Sequence, residues 1–127
     1  LFENLEIKKT NSYDRQKIVI KKFNYNLTDF YKNLKSFGID GVFTKKLKVK
    51  YKRSYYTLEN VGRITFDQDI VFSLPGNVNS LIKINHKVME VKVNSNYFDK
   101  NEIEKTVNLK ESRFSKYCIG INSLYNT

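Results

Sequence analysis

Cysteine, histidine, proline and tryptophan are nearly or wholly missing from this chain. Cys118 is the one cysteine among 127 residues, so no internal disulfide can form and a reducing compartment suits the protein. A solitary cysteine ordinarily acts as a small buried hydrophobe. With only His86 beside it, no Cys/His zinc cluster can be assembled. No run approaches the roughly 18 apolar residues of a membrane span, and the N-terminus lacks the apolar segment of a secretory signal. These absences predict a cytoplasmic protein. A Gly-x-Ser-x-Gly nucleophile elbow is missing, as is any Gly-rich phosphate loop of the P-loop or Rossmann kind. Phosphate, if bound, must therefore be held by side chains.

Positive charge is what the chain has in excess. Lys and Arg total 23 against 13 Asp and Glu, a formal net charge of +10. Such a surplus predicts a polyanionic partner: phosphate chains, nucleotides, nucleic acid or an anionic membrane surface. A composition rich in Lys, Asn, Ile and Tyr explains part of it. At 40% hydrophobic and 14% aromatic, the chain has the means to fold, and its length suits one domain, residues 1–127. Leu1 leads at once into a strand, as expected of a fragment of a longer protein.

Hydrophobic periodicity predicts strands over 4–10, 14–22, 46–58, 61–67 and 87–94. Turns fall at Asn11-Ser12, at Glu59-Asn60 and at Leu74-Pro75-Gly76-Asn77. Thr28 reads as a helix cap. Phe30, Tyr31, Leu34 and Phe37 follow at helical spacing, and Gly38 closes the helix. A short helix is expected near 100–108. The tail from 113 favours helix, with Tyr117, Cys118 and Ile119 as core. The fold class is α+β: an antiparallel, largely β body with flanking helices.

The chemistry lies in charges placed two apart. In a strand such residues share a face. Glu6-x-Lys8, Glu90-x-Lys92 and Arg63-x-Thr65-x-Asp67 each set acid and base on one side, and apolar residues fill the alternate positions of the first two. Lys48, Lys50 and Lys52 fall on one face of their strand, with Val49, Tyr51 and Arg53 on the other. Several such strands suggest a polar cavity for a multiply charged anion. Lys8, Lys17, Arg53, Arg63, Arg113 and Lys116 come from different elements and can converge on it, Arg as a fork and Lys as a point charge. Taken singly, each is better read as a solvated charge or half of an ion pair. Glu6 and Glu90 are candidate acids; a carboxylate in a basic cavity can hold a divalent metal bridging phosphates, or simply pair with Lys on a sheet surface. Asp67 and Asp69 are further candidate ligands, although a turn after 67 would give Asp69 an exposed or capping role. Ser115 can donate to a phosphate oxygen or cap a helix ahead of Lys116.

These residues resemble the VTC domain, the polyphosphate polymerase module of the triphosphate tunnel (CYTH-like) superfamily. Leu5-Glu6-Ile7-Lys8-Lys9 and Asp14-Arg15-Gln16-Lys17 look like two consecutive strands of that family. Tyr51-Lys52-Arg53-Ser54-Tyr55-Tyr56 is similar to its Tyr-x-Arg-x-Ala-Tyr/Phe segment. Arg63-Ile64-Thr65-Phe66-Asp67-Gln68-Asp69-Ile70 resembles its Arg-(Ile/Val)-(Thr/Ser)-x-Asp-x-(Asn/Asp)-(Ile/Leu) motif. Met89-Glu90-Val91-Lys92 and Arg113-Phe114-Ser115-Lys116-Tyr117 resemble Leu-Glu-(Val/Ile)-Lys and (Lys/Arg)-Phe-Ser-Lys-(Tyr/Phe). The resemblance covers the family's C-terminal two-thirds and leaves out its N-terminal strands.

The resemblance implies an antiparallel β tunnel, here incomplete at the N-terminus, and transfer of the terminal phosphoryl group of ATP to polyphosphate with a divalent metal, Mn2+ or Mg2+. It implies phosphate contacts from Lys8, Lys17, Arg53, Arg63, Arg113, Ser115 and Lys116, catalytic roles for Lys116 and Arg63, and a metal ligand in Glu90. Other readings are a triphosphatase or cyclase-like enzyme of the same superfamily, a non-catalytic polyphosphate- or triphosphate-binding module, and a nucleic-acid binder. Core-like placement of the aromatics argues against the last, since base stacking needs exposed rings. A membrane-associated partner or fused domain is compatible with all of them.

Overall fold

The computed structural model describes residues 3–23, 26–59, 61–93 and 99–126. The chain divides into two compact units, Leu1–Phe43 and Thr44–Thr127.

The first unit is a hairpin followed by a helix. Strand β1 (Glu3–Thr10) pairs antiparallel with β2 (Arg15–Phe23). The register slips between Glu3 and Leu5, where Lys22 adopts φ 54°. Helix α1 (Leu27–Ser36) starts two residues earlier than the Thr28 cap predicts. Its cap is Asn26, whose side chain accepts from the Asp29 backbone N–H at 2.8 Å, satisfying one of the helix's unpaired first-turn donors. At the other end Gly38 takes φ 70°, and the N–H groups of Gly38 and Ile39 donate to Lys35 and Leu34. This is the double closure expected of a helix-ending glycine. Ile7, Phe23 and Leu34 are the buried apolar residues here.

The second unit is built around one long strand. Strand β4 (Gly62–Ser73) pairs along one edge with β3 (Lys48–Leu58). Its other edge is shared by β6 (Val88–Val93), opposite 62–67, and the two-residue β5 (Ile82–Lys83), opposite 71–72. All pairings are antiparallel. Gly62 is required at the start of β4: at φ 150° an added Cβ would lie 2.0 Å from the Lys92 carbonyl oxygen. Helices α2 (Lys100–Val107) and α3 (Lys116–Tyr125) follow.

Strand β4 does not end at 67, as the sequence suggests, but runs on to Ser73. In place of the expected turn there is a bulge. From Val49 to Arg53 β3 advances four residues, while β4 advances five between their partners Phe72 and Asp67. The additional residue falls at Asp69–Ile70, which together oppose Tyr51, and Asp69 adopts φ 53°. A regular strand would send Asp67 and Phe72 to opposite faces; the bulge sends both to one. Ile70 and Phe72, each 0% exposed, form the centre of this unit's core. Asp69 is exposed, as expected, but is neither a turn residue nor a cap: it pairs with Lys52 at 3.2 Å and Lys83 at 3.4 Å.

The fold is thus α+β, with antiparallel sheets and three helices. Among the described residues the strands form two separate sheets, and no closed barrel is found. No helix there is long and apolar enough to cross a membrane.

Candidate functional site

Cross-strand register sorts the charges of the second unit by face. Arg53, Asp67 and Val88 lie abreast across β3, β4 and β6; so do Tyr55, Thr65 and Glu90, and then Thr57, Arg63 and Lys92. These nine share one face, because directly paired residues point the same way and residues two apart repeat it. Tyr51, two residues before Arg53, joins them. The adjacent positions Ile64, Phe66, Met89 and Val91 fall on the opposite face, where Tyr56 and Phe66 meet edge to face at 5.7 Å. Over residues 62–67 of β4 the charges fall on one face and the apolar positions on the other, as the spacing predicts; beyond the bulge the charged face passes into the buried Ile70 and Phe72.

Lys116 reaches this polar face from α3. Ser115 caps that helix, accepting from the Cys118 backbone N–H at 3.3 Å, so the capping alternative for Ser115 is realised and its hydroxyl proton remains to donate. Gly120 lies against Phe72 and Leu47 so closely that a Cβ there would be 2.7 and 2.8 Å from their side-chain carbons. The Tyr125 hydroxyl donates to the Lys46 carbonyl at 3.0 Å, and Phe114 packs against His86, ring centroids 6.4 Å apart. The helix is thus docked along its length. Tyr117 and Cys118 face outward, Tyr117 at 58% exposure, contrary to their expected core role; Gly120 is the buried residue instead. A side chain at 120 would keep the helix from approaching.

The three charges nearest α3 form one cluster. Arg53 grips Asp67 with two parallel hydrogen bonds, Nε to Oδ1 at 2.6 Å and an Nη to Oδ2 at 2.7 Å. Lys116 Nζ is 2.5 Å from the same Oδ2. Asp67 is only 2% exposed. The Arg53 hydrogen bonds, then Lys116, hold its carboxyl below the usual range against the opposing effect of burial, and the same bonds raise the Arg53 guanidinium further. Above the cluster the Tyr51 ring has Arg53 Cζ 5.0 Å and Lys116 Nζ 4.9 Å from its centroid, a geometry for cation–π attraction. Tyr51 and Lys116 also line an open cleft of about 510 Å3 with Leu47, Val49 and Tyr117.

Arg63 and Lys92 are direct cross-strand partners of like charge. In the hairpin unit Lys8 and Lys17 are another such pair. Each like-charged pair has one carboxylate beside it. Glu6 lies 2.6 Å from Lys17 and 3.5 Å from Lys8, and Lys17 chiefly lowers its pKa. Glu90 lies 3.7 Å from Lys92. Like charges directly opposite destabilise a sheet, so both pairs favour an anion between them.

Of the predicted site residues, the second unit brings Arg53, Arg63, Glu90 and Lys116 to one face. Arg113 is exposed three residues ahead of α3. Lys8 and Lys17 are brought together in the hairpin unit. Asp67 is not available as a metal ligand, since both its oxygens are taken by cations, and Asp69 is likewise paired. Among the described residues no group of three His, Cys, Asp or Glu could hold a metal. Glu90 fits a divalent cation as one protein ligand, provided phosphate oxygens or water fill the remaining positions; Mg2+ is commonly held so. Tyr51, Thr65 and Lys92 stand on the same face, and sequence reasoning gave them no role in a site. The period-two rule that selected Arg63 and Glu90 points equally to Thr65 and Lys92.

No curated protein and no solved structure matches this chain. The sequence model of the VTC domain matches residues 3–125, nearly the whole length, and a polyphosphate-related role agrees with the cationic faces just described. The chain belongs to the VTC domain family.

Proposed function

We propose that this chain is a polyphosphate polymerase domain that transfers the terminal phosphoryl group of a nucleoside triphosphate, ATP in the first instance, to a polyphosphate end. The observation that carries the reading is the surplus of cations on the polar face of β3–β4–β6. Among the described residues of that face, Arg53, Arg63, Lys92 and Lys116 stand against Asp67 and Glu90. The like-charged pair of Arg63 and Lys92 is best relieved by a bound polyanion. This face would form part of the inner wall of the family's tunnel.

In the proposed reaction a terminal oxygen of the polyphosphate chain attacks the γ-phosphorus in line. The bond from that phosphorus to the β–γ bridging oxygen breaks, and the nucleoside diphosphate leaves with the electron pair. The nucleophile is already anionic, so no general base is needed. Catalysis is electrostatic: Lys116 and Arg63 neutralise charge on the transferring group, while Arg53, Arg113 and Ser115 bind phosphoryl oxygens; Lys8 and Lys17 would be a phosphate contact of the hairpin unit by itself. Asp67 sets the position of Arg53 and Lys116. A divalent cation, Mn2+ or Mg2+, held by phosphate oxygens and Glu90, would supply further charge neutralisation when bound.

One observation favours a second reading, a non-catalytic polyphosphate-binding module. Arg53 and Lys116 are both engaged by Asp67, which leaves fewer charges to stabilise a transition state. Incubation with ATP and Mn2+, followed by gel detection of long-chain product, decides between the two. Product that falls roughly a hundredfold or more in Lys116→Ala supports the polymerase. Triphosphate binding without product supports the module.

A further inference from the structure

We propose that the Thr65 hydroxyl is a further phosphate contact of this face, donating its proton to a phosphoryl oxygen of a bound linear polyphosphate. The inference rests on the phosphate-binding reading above. Thr65 is 9% exposed, and its Oγ1 has no hydrogen-bond partner among the described residues. A buried hydroxyl without a partner costs stability, and native structures rarely keep one without a reason. The surroundings supply the reason. Along β4, Thr65 stands midway between Arg63 and Asp67, and its cross-strand partners are Tyr55 and Glu90. Directly paired side chains in antiparallel strands are about 4.5–5.5 Å apart at Cβ, so Thr65 lies at the centre of the charged patch.

The neighbouring acceptors do not take its proton. Both oxygens of Asp67 are bound by Arg53 and Lys116, and Glu90 is turned to Lys92. The hydroxyl is covered in the unbound protein, so a phosphate chain drawn in by Arg63, Lys92 and Lys116 would turn aside the exposed flanking side chains of Tyr55 and Glu90 before an unshared oxygen reached it. Thr65 would then bond the chain as a neutral donor between cations, fixing its register without adding charge.

The test is calorimetric titration of the full chain with inorganic tripolyphosphate in metal-free buffer, for wild type, Thr65→Val and Thr65→Ser. Valine keeps the shape and the β-branch and removes only the hydroxyl. The expected result is a Thr65→Val affinity roughly tenfold to a hundredfold weaker, affinity largely restored in Thr65→Ser, and a ligand-free Tm unchanged or raised. Affinity equal to wild type in Thr65→Val overturns the inference while leaving the phosphate-binding reading intact, and would assign the hydroxyl to a buried water. A loss that appears only when Mg2+ is added also overturns it. Wild type that fails to bind tripolyphosphate overturns the reading and the inference together.

Discussion

Lys116 Nζ lies 2.5 Å from Asp67 Oδ2, a contact that ties the first turn of α3 to the middle of β4. It exists because of two features some distance away. The bulge at Asp69–Ile70 turns Asp67 to the same face as Phe72, and the bare backbone at Gly120 lets α3 settle on that face. Asp67 thereby places two cations whose own strand and helix would not align them.

Replacing Asp67 by Asn should therefore destabilise the second unit strongly. Arg53 and Lys116 would be left part-buried without their counter-charge. Breaking a buried pair in this way costs on the order of 3 kcal/mol, discounted for the partial exposure of both cations. Urea denaturation should show a lower midpoint with an unchanged slope. A change below about 0.5 kcal/mol would mean the cluster is a solvated surface pair.

The titration of Asp67 has a definite sign. Its carboxyl is held below the ordinary value of 3.8. Between the folded value and 3.8 the unfolded chain binds the additional proton, so stability rises with pH in that window. The contribution is complete above 3.8 and is lost as pH falls through the folded value. Following the Asp67 carboxyl carbon by NMR should give a midpoint below 3.8; a midpoint at or above it would contradict the cluster as described.

Gly120→Ala tests the docking of α3. The new methyl would meet the buried Phe72 ring at 2.7 Å and Leu47 at 2.8 Å. Overpacking of this kind costs about 1–3 kcal/mol. The helix should shift away from β4 and loosen the Lys116–Asp67 contact, lowering both Tm and tripolyphosphate affinity. A lower Tm with unchanged affinity would show that Lys116 does not depend on this packing.

Much of this was legible in the sequence, for a simple reason. Charges two or four apart survive any uncertainty about strand ends, so Glu6 with Lys8, Glu90 with Lys92 and Arg63 with Asp67 could be placed on common faces without knowing the pairing. The family match over residues 3–125 agrees with the motif order. Where the reading failed, the missing information was non-local. The bulge at Asp69 depends on pairing with β3 and β5, and a strand crossing it loses its alternation, which reads as a strand end at 67. Tyr117 and Cys118 look like core by composition, but Gly120 sets which side of α3 faces the sheet. The cap at Asn26 in place of Thr28 is a shift of two residues between equally suitable capping side chains. The expected turn residue Asn60, and Asn94 at the end of a predicted strand, lie outside the described residues.

If the face bearing Arg53, Arg63, Lys92 and Lys116 binds a phosphate chain, affinity must depend on that face and not on the opposite one. Tripolyphosphate affinity should be measured for wild type, Lys116→Ala and Lys50→Ala. Lys50 is exposed on the opposite face of β3, paired with Val71, and carries the same charge. Lys116→Ala should lose affinity roughly tenfold or more, and Lys50→Ala should change it little. Equal losses for both would show attraction by net charge alone and would contradict a site on this face.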